Sequence, residues 1–270
     1  MKIESLKLVY FSPTGTTKKI IQAIARGISL SDMEMVDITK PEGRKQRLRT
    51  SESELLIIGM PVYFGRVQAN AIEWLNTIEA HNTPTVCVVV YGNREYDDAL
   101  LELKDAAIKI GCIPFACAAF IGEHSFSNLE APIAAGRPDA DDLSHAQLFA
   151  EKIRNKISSL PSINHIADIS VPGSYPYKDM IDSKKKLSSV DFISVDNSCS
   201  QCGTCAQHCP VGAIDSGNSI SIDTRRCILC RACIKACPEN ARKIKNDMIK
   251  NIALRLSQMC QDRKEPVFFL

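Results

Sequence analysis

The sequence lacks the features of a nucleic-acid-binding or membrane protein. Lysine and arginine outnumber aspartate and glutamate by only 33 to 31, and no basic cluster is interleaved with aromatic residues. The longest apolar run, TVCVVVY, is far shorter than the ~20 residues of a membrane span. The first residues, MKIESLKLVYF, carry charges where a signal peptide is apolar and lack a small-residue cleavage site. We therefore expect a cytoplasmic protein that binds neither nucleic acid nor membrane.

Cysteine, in contrast, is abundant, and most of it lies in one segment. Eight of the 12 cysteines fall between positions 199 and 237. The others, Cys87, Cys112, Cys117 and Cys260, are scattered in or near apolar sequence and are expected to be buried side chains without chemistry. Disulfide frameworks belong to short secreted chains, so the crowded cysteines indicate metal ligands.

The crowded cysteines form two copies of the pattern C-x2-C-x2-C-x3-C-P, namely CSQCGTCAQHCP and CILCRACIKACP. Three thiolates at this spacing hold one iron-sulfur cube, and the fourth, before proline, ligates the other cube. The pattern predicts a first 4Fe-4S cluster on Cys199, Cys202, Cys205 and Cys237, and a second on Cys227, Cys230, Cys233 and Cys209. Structural zinc is the alternative, but zinc sites usually use two separated C-x2-C pairs.

Residues 190–245 resemble the bacterial two-cluster ferredoxins, because the cysteine pattern repeats after about 28 residues. The resemblance implies a small α+β domain whose folding depends on its clusters. Each Cys-Pro is expected to lead into a short helix, in VGAI and in ENARKI. Basic residues exceed acidic ones in this segment, which either raises the cluster potentials, docks an acidic partner, or only forms a solvated surface.

The beginning of the sequence predicts an anion site. SLKLVYF is expected to be a strand, SPTGTT a loop, and TTKKIIQAIARGI an amphipathic helix. A Ser/Thr/Gly loop between a strand and a helix N-terminus presents N–H and hydroxyl groups to an anion, although these side chains could simply cap the helix. The loop has neither the Gly-Lys pair of a Walker A motif nor a G-x-G-x-x-G pattern.

Three loops resemble those that bind FMN in flavodoxins. SPTGTT is similar to the flavodoxin loop that holds the terminal phosphate, with threonine in place of the usual asparagine at position 16. MPVYFGRV and GNREYDDAL, each after an apolar strand, resemble the two loops that wall the flavin ring. The resemblance implies FMN contacts from Ser12, Thr14, Gly15, Thr16, Thr17, Pro61, Tyr63, Phe64, Gly65, Gly92, Asn93 and Tyr96. Tyr63 and Tyr96 are the candidate aromatic walls, although a lone loop tyrosine is often only a surface anchor.

Further strands at EMVDI and IPFACAAFIG, with helices near 68–79, 96–110 and 142–158, complete an α/β pattern. We expect a flavodoxin-like, doubly wound parallel sheet of five strands in the order 2-1-3-4-5, with FMN at the switch point. The long loop after the fifth strand contains His124, which either approaches the flavin or a substrate or is structural. The expected divisions are a flavodoxin-like domain at 1–160, a connecting segment at 161–189, the ferredoxin domain at 190–245 and a helical tail at 246–270 that docks on another surface.

Over nearly its full length the chain resembles the flavodoxin-ferredoxin fusion proteins of bacteria and archaea, particularly anaerobes. The resemblance implies an electron-transfer protein that exchanges electrons between FMN and two 4Fe-4S clusters and converts two-electron into one-electron flow. Its partners would be low-potential donor proteins or acceptor reductases, and a homodimer is left open. No nicotinamide-binding fingerprint is present.

Two alternatives to the carrier are kept. The first is an FMN-dependent reductase of a quinone or nitro compound, which an open cavity lined by Tyr63, Tyr96 and the His124 loop would favour. The second is a flavodoxin-like domain that holds no flavin and only supports the clusters.

Overall fold

The computed structural model describes residues 1–178 and 191–270, which form an α/β domain and a small cysteine-rich part. The α/β elements are β1 (Ser5–Tyr10), α1 (Thr16–Ile28), β2 (Met33–Asp37), β3 (Arg49–Thr50), β4 (Glu54–Tyr63), β5 (Arg66–Val67), α2 (Ala69–Leu75), β6 (Glu79–Ala80), β7 (Thr83–Tyr91), α3 (Ala99–Lys109), β8 (Cys112–Ile121) and α4 (Ala140–Ser159). The later elements are β9 (Ile193–Val195), α5 (Thr204–Gln207), α6 (Ala232–Lys235), β10 (Arg242–Ile244), α7 (Asp247–Met259) and β11 (Val267–Phe269). None of the helices in these two ranges is both long and apolar enough to cross a membrane.

The main sheet has its five parallel strands in the order β2-β1-β4-β7-β8, which confirms the expected 2-1-3-4-5 topology. Helices cover both of its faces, so the central strands β4 and β7 are buried along nearly their whole length. Successive residues alternate between the two cores. Leu55 and Ile57 pack with α1 and α4, whereas Leu56 and Ile58 pack with α2 and α3.

A strand from the tail adds an antiparallel edge to this sheet. β11 pairs with β8, with Val267 opposite Ala119. The ring of Phe268 stacks on Phe149, with 4.8 Å between centroids, and lies 5.6 Å from Phe120. The sequence indicated only a helical tail, which the structure has as α7, and the strand was missed.

The cysteine-rich part preserves the 28-residue repeat in its backbone. Left-handed residues recur in pairs at Gln201 and Leu229, Gly203 and Arg231, and Gly212 and Asn240. The short helices α5 and α6 also occupy equivalent places, each containing the third cysteine of its copy. The helices expected in VGAI and ENARKI are wrong, because Gly212 and Asn240 take φ values of 57° and 51° that interrupt a helix, and the second stretch contains β10.

The described part of the connecting segment lies against α3 rather than hanging free. The Asp98 carboxylate accepts hydrogen bonds from the backbone N–H groups of Ser174 (2.9 Å) and Lys178 (2.6 Å). The Tyr177 hydroxyl donates to Asp105 at 2.6 Å, whereas the Tyr175 side chain is exposed. Residues 179–190, which include the rest of the expected connecting segment and the expected start of the ferredoxin domain, lie outside the described residues.

Phe268→Ala should lower the free energy of unfolding by about 2 kcal/mol, because it removes a half-buried ring that stacks on Phe149. Urea unfolding followed by circular dichroism measures this change. Leu270→Ala is the control, since Leu270 lies outside β11 and is 44% exposed. Equal stabilities for the two variants would contradict the docked position of β11.

Candidate functional site

A cavity of about 470 Å³ opens at the carboxyl edge of the parallel sheet, where ligands of such sheets bind. Its size lies in the range of cofactor pockets. The residues expected to contact FMN or its surroundings that line it are Thr14, Thr16, Pro61, Tyr63, Phe64, Gly65, Gly92 and His124. The three loops identified in the sequence therefore meet at one place.

The first loop leaves a helix N-terminus available to an anion. α1 follows Gly15, whose φ of 85° suits glycine. Gly15 itself offers no side-chain cap, and the first turn of α1 has no acidic residue. The Thr17 side chain is fully buried, and its hydroxyl has no hydrogen-bond partner within the described residues. The Ser12 side chain does cap the helix, as the alternative interpretation of the loop proposed, because its hydroxyl accepts a hydrogen bond from the Lys18 N–H at 3.0 Å. The free N–H groups and the unpaired Thr17 hydroxyl fit a phosphate.

The second loop brings aromatic rings to the cavity wall, and the third loop passes close to His124. Tyr63, Phe64 and Gly65 form the turn between β4 and β5, and Phe64 also packs against the core of the cysteine-rich part. Gly92 permits the close approach of the third loop, because a Cβ there would lie 2.3 Å from Cδ2 of His124.

His124 forms part of the wall as a neutral side chain. Its Nδ1 accepts a hydrogen bond from the Phe126 N–H at 2.9 Å. Burial lowers the pKa of His124 to about 4, and the positive charges of Arg231, Arg94 and Lys235 act in the same direction. At neutral pH the His124 side chain is therefore uncharged and cannot donate a proton as an imidazolium ion.

Five of the residues expected at the flavin do not line the cavity, namely Ser12, Gly15, Thr17, Asn93 and Tyr96. The first three belong to the first loop and the start of α1, and the last two make contacts elsewhere. Asn93 is buried, and its amide donates to the carbonyls of Cys260 (3.0 Å) and Asp262 (2.8 Å), so it fastens the tail. Tyr96 packs against the α/β core, edge-on to Tyr91 with 5.4 Å between ring centroids. The sequence placed both residues by their position after β7, and that position does not determine which way each side chain turns.

The remaining part of the cavity wall comes from residues that the sequence did not indicate. Tyr91 and Phe126 supply further rings, and the cysteine-rich part supplies Leu229. α7 contributes Ile252, Arg255, Leu256 and Met259. The apolar stripe of the tail helix was the signal that it docks somewhere, but it could not identify this cavity as the surface.

The four cysteines of the second predicted ligand set share one place in the structure. Cys209, Cys227, Cys230 and Cys233 line one small cavity with apolar walls, although Cys209 is distant in sequence from the other three. Burial raises the pKa of Cys230 and raises that of Cys233 to about 12. The Ala213 N–H donates to Sγ of Cys209 at 3.1 Å, a contact that would stabilise a thiolate.

The first cysteine set is more accessible to solvent. Cys202 is exposed, Cys199 and Cys237 are half-buried, and Cys205 is buried. A hydrogen bond from Thr204 lowers the pKa of Cys202. In the described parts of the chain, no three His, Cys, Asp or Glu side chains converge as the ligands of a single metal ion would.

Two buried arginines indicate that the cysteine-rich part accommodates an anionic group. Arg231 is 6% exposed and Arg242 is 2% exposed, and each leaves Nη1 without a hydrogen-bond partner among the described residues. Burying an unpaired cation is costly unless negative charge lies close by. An iron-sulfur cluster held by thiolates supplies that charge, so the residues fit such a group.

The fold and the site together define a two-domain redox protein, with one cavity suited to a flavin phosphate and a duplicated set of cysteine ligands. A family model described as a flavodoxin domain matches residues 7–129. A second model, described as a 4Fe-4S binding domain, matches residues 194–215 and 220–243.

The chain therefore consists of a flavodoxin-like domain followed by a 4Fe-4S domain, which is the domain order of a flavodoxin-ferredoxin fusion. These two domains support an electron-transfer role.

Solved structures similar to the chain include flavodoxins. A flavodoxin from the domain Archaea shares 16% identity, covering 57% of this chain and 99% of its own, with a TM-score of 0.41. The Streptococcus pneumonia TIGR4 flavodoxin shares 16% identity over 56% of this chain and 98% of its own, with a TM-score of 0.39. Rubredoxin oxygen:oxidoreductase from the anaerobe Desulfovibrio gigas shares 11% identity over 58% of this chain and 37% of its own, with a TM-score of 0.41. No curated protein matched the sequence.

Thr17→Val should weaken FMN binding about tenfold or more, because a hydrogen bond to a charged group contributes about 1.5–3 kcal/mol. Without FMN the variant should be at least as stable as the original, since the buried hydroxyl has no partner to lose. Quenching of FMN fluorescence by flavin-free protein measures the affinity. Thr77→Val is the control, because the Thr77 hydroxyl donates to the Trp74 carbonyl away from the loop. An unchanged affinity in Thr17→Val would contradict the phosphate assignment.

Iron counts of double variants test the crossed ligation. Cys209→Ser should remove one cluster, about four irons per chain. Adding Cys230→Ser should remove no more, because both cysteines line the same small cavity. Adding Cys202→Ser to Cys209→Ser should instead remove nearly all iron.

With uncrossed ligation the two double variants would exchange their results. Colorimetric iron analysis of anaerobically purified protein distinguishes the two cases. Cys260→Ser serves as the control, since this buried cysteine lies outside both sets.

Proposed function

We propose that the chain is an electron carrier that exchanges electrons between FMN and two 4Fe-4S clusters, and that it converts two-electron into one-electron flow. The observation that carries this proposal is the junction of the two domains. Leu229 lies between Cys227 and Cys230 and is also part of the wall of the large cavity. FMN, when bound, exchanges two electrons, whereas each cluster exchanges one.

The residues of this chain divide the binding of FMN between its two ends. The N–H groups at the start of α1, the hydroxyls of Thr14 and Thr16 from the cavity lining, and the buried Thr17 hydroxyl would hold the phosphate. The ring would lie against the loops of Tyr63 and Gly92. These contacts support FMN over the alternative of a domain that only supports the clusters.

The domain junction is fastened by polar contacts on two sides. The Lys235 ammonium of α6 lies 2.9 Å from the Glu123 carboxylate in the loop after β8. The Arg44 guanidinium donates to the carbonyl of Pro210 at 2.8 Å. Apolar side chains also cross the junction in both directions, since Phe64 packs against the cysteine-rich core and Ile228 against the α/β core. Such contacts favour a fixed arrangement over two independently moving domains.

Tyr63 supports the second cysteine set as the one next to the flavin site. Its side chain lines the large cavity, and burial raises its pKa well above the usual value, with Cys230 and Cys227 adding to the shift. The first set, with its exposed Cys202, is the more accessible to another protein. We therefore propose that redox partner proteins approach the first set.

The carrier is favoured over the small-molecule reductase by the composition of the cavity wall. Tyr63 and His124 line the cavity, but Tyr96, the other expected mark of a substrate pocket, does not. Side chains of α7 and Leu229 also line the cavity, and they come from outside the flavodoxin-like domain. We also propose a cytoplasmic location, because twelve free cysteines suit a reducing compartment.

Anaerobic purification with quantification of iron, sulfide and FMN tests the function directly. We expect about eight irons and about one FMN per chain. In a stepwise dithionite titration, visible and EPR spectra should show flavin and clusters in redox equilibrium at each step. The rate at which they reach equilibrium should be independent of protein concentration.

Two results would contradict the carrier. Eight irons without flavin would leave a ferredoxin on an inert scaffold. Reduction of a quinone or nitro compound much faster than by free FMN would favour the reductase.

A further inference from the structure

Arg231 stands where the first cysteine copy has a glycine. The two residues are 28 positions apart, and both are left-handed, with φ of 72° at Gly203 and 60° at Arg231. This conformation costs a non-glycine residue roughly 1–2 kcal/mol. The second copy therefore carries a long cationic side chain at a position where the backbone favours glycine.

Arg231 lines one cavity and lies next to the wall of the other. It lines the small cavity together with Cys209, Cys227, Cys230 and Cys233. Its guanidinium carbon also lies 5.8 Å from the centre of the Phe126 ring, and Phe126 lines the large cavity. Arg231 is thus a buried residue located between the second cysteine set and the flavin site.

The charge of Arg231 is not balanced by a nearby ion pair in residues 1–178 and 191–270. Nη1 has no hydrogen-bond partner there, and the closest acidic group affecting it, Glu123, already pairs with Lys235. An arginine guanidinium is protonated throughout the pH range in which proteins fold, so Arg231 is a cation. A buried cation of this kind is stabilised when negative charge occupies the cavity that it lines.

We propose that Arg231 is a positioning residue that makes the cluster of the second cysteine set easier to reduce than the cluster of the first set. The inference rests on the proposed function, because it requires both sets to hold 4Fe-4S clusters. Reduction adds one electron, and therefore one negative charge, to a cluster and its thiolates, and a cation within the low-dielectric interior stabilises the added charge. Gly203 offers no such charge to the first set.

A second buried cation acts in the same direction. Arg242 lies 28 positions after Ile214, so it too is present in only one copy. Its guanidinium donates to the Ser219 carbonyl, and its charge opposes the burial that raises the pKa of Cys227 and Cys233. Removal of Arg231 alone is therefore expected to reduce, and not to abolish, the difference between the sets.

Single-cluster backgrounds allow the test. Cys237→Ser should retain only the second cluster, and Cys209→Ser only the first. In each background, Arg231→Gly removes the charge while suiting the left-handed backbone, and Arg231→Lys retains the charge. Arg225→Gln is the control, because it removes an exposed cation two residues before Cys227. Dithionite titration with redox mediators, followed by EPR, gives the midpoint potential of each cluster.

We expect Arg231→Gly to lower the equilibrium constant for reduction of the second cluster at least tenfold, about 59 mV for one electron. The first cluster should keep its potential, and Arg231→Lys and Arg225→Gln should change the potential of the second cluster by less than half as much. An unchanged second cluster, or equal shifts in both backgrounds, would overturn the inference. If Arg231→Gly loses iron, Arg231→Asn replaces it, because asparagine tolerates the same conformation.

The two proposals fail in different ways. Original protein that binds no iron would overturn the proposed function together with this inference. Iron-loaded variants with unchanged potentials would overturn the inference alone.

Discussion

The packing of the second cysteine loop against the carboxyl edge of the parallel sheet is the contact on which the rest of the structure depends. A flavodoxin-like sheet and a cysteine-rich repeat are independent modules unless something fixes their relative position. Here Leu229 enters the cavity wall of one module, and Phe64 packs into the core of the other. The large cavity and the second cysteine set are therefore neighbours, and the buried Arg231 lies beside both.

The tail is what holds this contact in place. α7 places Ile249 in the core of the cysteine-rich part and Ala253 in a cluster with Phe126 from the long loop of the α/β domain. Asn93 then fixes the backbone after α7, and β11 joins the edge of the main sheet. The chain thus passes from the α/β domain to the clusters and returns, so separation of the domains would require breaking a helix contact, buried hydrogen bonds and a strand pair together.

Features that depend on local periodicity could be predicted from the sequence, and features that depend on long-range packing could not. Continuous apolar runs such as Leu55, Leu56, Ile57 and Ile58 of β4, whose side chains alternate between two cores, predict the buried strands of a parallel sheet. The cysteine spacing predicts the set that includes Cys209. Position after a strand located the flavin loops but not side-chain direction, so Asn93 and Tyr96 were assigned to the flavin and lie elsewhere. β11 has only three residues, which are too few to show a periodicity. The surface that α7 covers is determined by the packing of both domains.

The two cysteine copies share a backbone conformation but differ in their surroundings, and this difference makes the two cysteine sets electrostatically inequivalent. The first copy has Gly203 and Ile214 where the second has the buried cations Arg231 and Arg242, and its Cys202 is open to solvent. Solvent screens charge at the exposed set, whereas the interior strengthens it at the buried set. On the two proposals above, an electron that a partner delivers to the exposed set would pass toward the set beside the cavity, because the buried cations stabilise negative charge there. The two copies have identical ligand types, but the other domain encloses only the second copy, so the two sets have different electrostatic surroundings.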